Sequence, residues 1–189
     1  MARLILASSS PRRRELLAQI GLDFEVLPAH IDEARRGGEE PGAYVQRLAL
    51  DKAQAIHAVH LEAFVLGADT TVEIHGHALE KPVDRADAER MLRALSGRTH
   101  QVHTGIALLS PRAHRVHFET TAVTFSAIPE SELQHYLDSG EPYDKAGAYG
   151  IQGYAARWIP RVDGDYFNVM GLPLAATVRL LHELGYNSG

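Results

Sequence analysis

Apolar and polar positions alternate along this chain with two periods, and each change of period marks an element. Residues 3–7 (RLILA) are a short apolar run, as a buried strand requires. Ser8, Ser9, Ser10 and Pro11 break it. Ser10 suits the N-cap and Pro11 the first position of a helix over 12–20, with Leu16, Leu17 and Ile20 on one face and an end near Gly21. Residues 23–28 predict a second strand, and the polar, Gly-rich stretch 35–42 a loop. A long helix is expected from about Pro41 to His60, with Val45, Leu48, Ala49, Ile56 and Val59 on its buried face. Residues 63–74 are strand-like with a break at Gly67-Ala68-Asp69-Thr70, and His75-Gly76-His77 suits a hairpin turn. A helix at 85–95 carries Met91, Leu92 and Leu95. Segments 101–109 and 114–126 alternate as an antiparallel hairpin, and a helix runs from about Pro129 to Ser139. The glycine-rich stretch 140–153 predicts a long functional loop; a strand at 157–162, a turn at 163–165 and a helix at 173–184 come after it. Mixed strands and helices of this kind predict an α/β fold with a mixed sheet.

Length and charge narrow the function classes. The 189 residues fit one large domain or two closely packed lobes. No apolar run reaches the ~18 residues of a membrane helix, and the run near the N-terminus is too short for a signal peptide. The chain has no cysteine, which removes disulfides and thiolate metal sites and is compatible with the cytoplasm. A net charge of −5, with one basic cluster at Arg12, Arg13 and Arg14, suits a small anionic ligand better than a nucleic acid.

Several residue sets could carry chemistry. A strand followed by Ser8-Ser9-Ser10-Pro11-Arg12-Arg13 and a helix sets unpaired N–H groups, hydroxyls and guanidinium forks at a positive helix end, as a phosphate cradle needs. An ordinary capped helix with solvated arginines has the same sequence, and the two readings stand even. Asp69, at the end of an apolar run, could hold Mg²⁺ or activate a water; a turn aspartate is the plainer alternative. Lys52 and Lys81 could each neutralise a polyphosphate, or be solvated. Asp32 and Glu33 could ligate a cation, although alone they are better taken as loop acids. Gln152 offers both donor and acceptor to a base edge, and Tyr149 could stack on a base or pack in the core. The close histidine pairs are set aside as a metal site: His100/His103 and His114/His117 are spaced to face opposite sides of a strand, and no HExxH occurs.

Six stretches, in order, resemble the Maf family: SSSPRRRELL (8–17), GADT (67–70), EKP (80–82), LSGRTH (95–100), GEPYDKAGAYGIQG (140–153) and NVMGLPL (168–174). The resemblance implies the fold of the inosine-triphosphate pyrophosphatase superfamily, with a long twisted mixed sheet and helices forming two lobes around a central cleft. Residues 1–189 are then a single Maf-like domain with no separable linker. It also implies hydrolysis of a nucleoside triphosphate to the monophosphate and pyrophosphate, with Mg²⁺ or Mn²⁺. The family's presumed general base falls on Asp69, and its metal ligands on Glu33 and Asp69. Its phosphate contacts fall on Ser8, Arg12, Arg13, Lys52 and Lys81, and its specificity positions on Arg13, Thr70 and Gln152. The stretches GADT and DKAGAYGIQG resemble the dTTP/UTP subtype rather than the 7-methyl-GTP subtype, with CTP and modified pyrimidine triphosphates as further substrates. The resemblance thus implies an enzyme of nucleotide-pool cleansing or septum arrest; composition and charge add a cytoplasmic setting with no nucleic-acid or membrane partner, and a homodimer is the general prior. The alternatives are a non-enzymatic nucleotide-binding regulator of cell division and a 7-methyl-GTP-type pyrophosphatase.

Overall fold

The computed structural model describes residues 2–187. Its secondary structure is α/β with a mixed sheet. The strands are β1 (Leu4–Leu6), β2 (Glu25–Val26), β3 (Phe64–Ile74), β4 (His77–Leu79), β5 (Thr99–Leu109), β6 (His114–Thr124) and β7 (Arg161–Asp163). The helices are α1 (Pro11–Gln19), α2 (Pro41–His57), α3 (Arg85–Leu95), α4 (Glu130–Asp138), α5 (Tyr166–Val169) and α6 (Leu174–Glu183). Among the described residues the strand order is β2-β1-β3-β5-β6-β7, with β4 paired to β3. β1 runs parallel to both β2 and β3, with Ile5 opposite Glu25 on one side and Val65 on the other. β3 with β4 and β6 with β7 are antiparallel. Parallel neighbours need a crossover between them. The segments holding α1 and α2 supply it, so the loop leaving β1 becomes the start of a helix.

Two compact units divide the chain. The first holds residues up to Asp69, Thr104–Glu119 and Gly171 onward; the second holds Thr70–His103 and Thr120–Met170. In the first unit, Ile5, Val65 and Ala107 of the strands and Ala7 just after β1 pack with Ala49 and Ala53 of α2. The small side chains let α2 lie close to the sheet, and two glycines bring it closer. A Cβ on Gly67 would stand 2.1 Å from the Ala49 carbonyl oxygen, and one on Gly105 would stand 2.5 Å from that of Val45. Both strand positions therefore require glycine because helix backbone occupies the place of a side chain. In the second unit, α3 buries Ala88, Met91, Leu92 and Leu95, and α4 buries Leu133, Tyr136 and Leu137.

Most predicted elements form, with some different limits. Ser10 caps α1, its side chain accepting from Arg13 N, and Pro11 takes the first turn. The His75-Gly76 turn forms with positive φ at both residues, the pattern of a two-residue type I′ hairpin. The break expected at Gly67–Thr70 does not occur; β3 runs through it, because Gly67 serves close packing and not a turn. α2 stops at His57, so Val59 is 72% exposed rather than buried. The strand expected over 23–28 shortens to Glu25–Val26, both exposed. Instead of a strand from residue 157, a 3-10 turn covers Tyr154–Trp158 and β7 begins at Arg161. Trp158 is held in that turn by its Nε1, which donates to Glu132 Oε2 at 2.6 Å. The stretch 140–153 is not featureless, since 3-10 turns form at Glu141–Asp144 and Ala146–Ala148.

Candidate active site

Successive strand residues point to opposite faces, so Asp69 shares a face with Gly67. That is the face on which α2 lies, and Lys52 is on the buried side of α2, one position before Ala53, which also touches Gly67. The close approach allowed by Gly67 thus delivers a lysine to a strand aspartate. Lys52 Nζ donates to Asp69 Oδ1 at 2.6 Å and lies 2.9 Å from Glu33 Oε1. Glu33 arrives from the loop before α2, and its backbone carbonyl accepts from Tyr44 Oη at 3.0 Å. Asp32 turns away into its own loop, where Oδ1 accepts from Ala34 N.

The start of α1 supplies the other half of the cluster. Arg13 is buried on α1; its Nε donates to the Gly171 carbonyl at 2.7 Å and its Nη1 to Ser8 Oγ at 3.1 Å. Ser8 Oγ also accepts from Ser10 N at 3.3 Å. Two donors therefore converge on the Ser8 oxygen, which leaves its own proton as the group it can offer. Arg12, half-buried on α1, follows the same N-terminus.

Ser8, Arg13, Lys52 and Asp69 are all less than a tenth exposed, so charge here is costly unless compensated. Burial raises the Asp69 carboxyl above the usual carboxylate range, opposed by the charges of Lys52 and Arg13. Burial lowers the Arg13 guanidinium, opposed first by Asp69. Lys52 and Arg13 face Asp69 and the half-exposed Glu33, two charges of each sign, and Arg12 adds a further positive charge felt by Arg13.

A divalent cation fits this donor set. Asp69 and Glu33 are hard oxygen ligands whose carboxylates converge on one point, and the Glu33 side chain is 52% exposed. Mg²⁺ is commonly held by one or two carboxylates with phosphate oxygens and water completing its shell. Among the described residues no group of three or more His, Cys, Asp or Glu could hold a metal ion. Asp69 and Glu33 are the two carboxylates that would hold it.

The remaining candidates belong to the second unit. Thr70 follows Asp69 on β3 and is half-buried. Lys81 is exposed just before buried Pro82, and Gln152 is exposed in the turn from Gly150 to Gly153. That turn is anchored from below. Tyr136 Oη accepts from Gly150 N and donates to Glu141 Oε1 at 3.0 Å, and Glu141 Oε2 accepts from Tyr154 N at 3.3 Å. Tyr149 is core rather than a base platform. It is 5% exposed, packs edge-on against Phe125, and its Oη lies 2.7 Å from His100 Nε2. Burial pushes His100 down to about 4, so its ring is neutral at physiological pH.

Some partners have no local sequence signal. The Gly171 carbonyl that aims Arg13 is one. A row across β3, β5 and β6 is another, in which His103 sits between Glu73 Oε2 at 2.6 Å and Thr120 Oγ1 at 2.9 Å. One clue does lie in the sequence: the i, i+2 spacing of Gly67 and Asp69 puts the acid on the helix-facing side. Among the described residues no helix is long and apolar enough to cross a membrane.

Comparison with known proteins places the chain in a family. The chain is 53% identical over 182 residues to a protein of Koribacter versatilis named dTTP/UTP pyrophosphatase, covering 96% of this chain and 94% of that one. It is 52% identical to one of the same name from Symbiobacterium thermophilum, covering 98% and 96%. Among solved structures, a HAM1 protein from Coxiella burnetii shares the fold with a TM-score of 0.50 at 18% identity, covering 69% of this chain and 76% of that one. The family described as Maf-like protein matches residues 3–184, and across that span the chain belongs to the Maf family.

Proposed function

We propose that this chain is a nucleoside triphosphate pyrophosphatase that hydrolyses dTTP and UTP to the monophosphate and pyrophosphate. The observation that carries the chemistry is the buried Asp69 carboxylate, hydrogen-bonded to Lys52 beside Arg13 and the start of α1. The substrate class rests on relatives bearing that activity in their names at about half identity over nearly the whole chain. Asp69 accepts the proton of a water that attacks the α-phosphorus; the bond to the bridging oxygen breaks and pyrophosphate leaves. A carboxyl raised by burial is a better proton acceptor than a solvated one, because its proton affinity lies nearer the working pH.

The other side chains position and neutralise. Arg13 presents a guanidinium fixed at two points, and the Ser8 proton and the N–H groups of α1 face the same anion. Arg12, Lys52 and Lys81 add positive charge for the leaving pyrophosphate. Thr70 and Gln152 contact the base. Glu33 and Asp69 would hold Mg²⁺ or Mn²⁺, which when bound supplies charge neutralisation at the phosphate oxygens. Positioning and charge, without a covalent intermediate, suffice for phosphoryl transfer of this kind. An enzyme of free nucleotides belongs in the cytoplasm.

Pyrophosphate release from dTTP, UTP, CTP, GTP and 7-methyl-GTP, with and without Mg²⁺ or Mn²⁺, tests this. Metal-dependent turnover fastest with dTTP and UTP is expected. Turnover of 7-methyl-GTP alone would overturn the assignment of Thr70 and Gln152, and nucleotide binding without turnover would point to a regulator.

A further inference from the structure

The point where the two metal-holding carboxylates converge is taken by a cation of the chain itself. Lys52 Nζ lies 2.6 Å from Asp69 Oδ1 and 2.9 Å from Glu33 Oε1, and the lysine side chain is 10% exposed. The lysine cannot drift off with its helix. Backbone of α2 meets β3 at Gly67 and β5 at Gly105 with no room for a side chain between, so the stem of Lys52 starts from a fixed place. With Arg13 buried and coupled to Asp69, and Arg12 adding to the positive side, the negative charge of Asp69 and Glu33 is already fully matched.

A divalent cation arriving alone would have to expel the ammonium from both carboxylates and leave a buried excess of positive charge. That is unfavourable, because a desolvated charge that loses its partner is strongly destabilising. A polyphosphate changes the balance. It brings negative charge and gives the ammonium new oxygen partners, and a lysine on its flexible stem can turn from carboxylate to phosphate. We infer that Lys52 is a resident cation that keeps the divalent metal out of the free protein and releases Asp69 and Glu33 to it only as a polyphosphate binds. Metal and nucleotide then enter as one chelate, and by linkage each strengthens the other's binding by the same factor. This rests on the assignment of Asp69 and Glu33 as the metal-holding pair.

Titration with Mn²⁺, followed by the electron paramagnetic resonance signal of the free ion, tests the inference without turnover. Wild-type chain is compared with Lys52→Met and Lys52→Arg, each alone and with a non-hydrolysable α,β-methylene analogue of dTTP, after correction for Mn²⁺ held by the analogue itself. Without nucleotide, Lys52→Met is expected to bind Mn²⁺ at least about tenfold more tightly than wild type, and Lys52→Arg, which keeps the charge, no more tightly. The analogue should restore Mn²⁺ uptake to wild type. Equal affinity of wild type and Lys52→Met in the absence of nucleotide would overturn the inference. If Lys52→Met fails to fold by circular dichroism, wild type decides alone. Nucleotide-free uptake that Glu33→Gln removes overturns the inference, as does no uptake even with the analogue; uptake only with the analogue supports it. Failure of the pyrophosphatase assignment would show separately, as no pyrophosphate released from any nucleotide.

Discussion

The cluster around Asp69 and the cluster around His100 both bury titratable groups, and they do so by opposite means. At Asp69 the charges stay: Lys52 lies 2.6 Å from Asp69 and 2.9 Å from Glu33, and the charge of Arg13 also favours the Asp69 carboxylate. At His100 the charge is refused. The imidazole, 2% exposed, meets a phenol and two aromatic edges and is pushed down to about 4. Balanced charge in a low-dielectric setting is poised to act on an incoming charged ligand, whereas a neutral polar contact in the same setting only holds a core together. The contrast separates the cluster proposed as the active site from one that serves packing, although burial and polarity alone would not tell them apart.

Four substitutions put that contrast at risk. The largest effect is expected at Asp69: Asp69→Asn should lower kcat for dTTP by about 10²–10³ or more, with the fold intact by circular dichroism. Near wild-type turnover would remove Asp69 from the chemistry. Next is Gly67→Ala, which sets a methyl group against the Ala49 carbonyl. Denaturant unfolding should show a loss of about 3 kcal/mol, and turnover should fall as Lys52 is carried off Asp69. An unchanged midpoint would mean that α2 can give way.

The His100 cluster should respond to pH rather than to substrate. Its folded value of about 4 lies below the usual 6.5, so the unfolded chain binds more protons between those values. Stability is then fully present above about pH 6.5 and is lost as pH falls through the window, by about 2 kcal/mol down to about pH 5. His100→Gln, which cannot titrate, should flatten that part of the stability–pH curve while leaving KM for dTTP unchanged. A curve as steep as wild type would assign the slope to another group. The smallest effect is expected at Val83, 87% exposed: Val83→Ser should stay within about 0.5 kcal/mol and leave both clusters untouched.

Much of this molecule is legible from local chemistry, and the rest is not local. α3 has an N-cap at Asp84 and a clean apolar stripe, and the His75-Gly76 turn has residues suited to positive φ; both form where expected. The departures share a cause. Gly67 reads as a strand breaker because glycine usually is one, and only the helix packed above it shows that it belongs inside a strand. Val59 continues the apolar spacing of α2 for a further turn, but the helix ends first. For the candidate site, residue types and order along the chain point to Asp69, Lys52, Ser8 and Arg13. The convergence of Glu33 and Asp69 on one ammonium, and the carbonyl that aims Arg13, join residues far apart in sequence, and no spacing rule encodes them.

The bond from Arg13 to the Gly171 carbonyl also sets an order of events during synthesis. Ser8, Arg13, Lys52 and Asp69 all leave the ribosome well before the C-terminal segment, yet the acceptor that orients the guanidinium follows Arg13 by 158 residues. At elongation speeds of about 5–20 residues per second, that is roughly ten seconds or more in which the nascent chain carries its reactive residues without the contact that fixes one of them. The orientation of Arg13 is therefore the last part of the charge cluster to mature. A premature stop before residue 171 would yield a chain that has Asp69, Glu33, Lys52 and Arg13 in its sequence but not the carbonyl that orients Arg13.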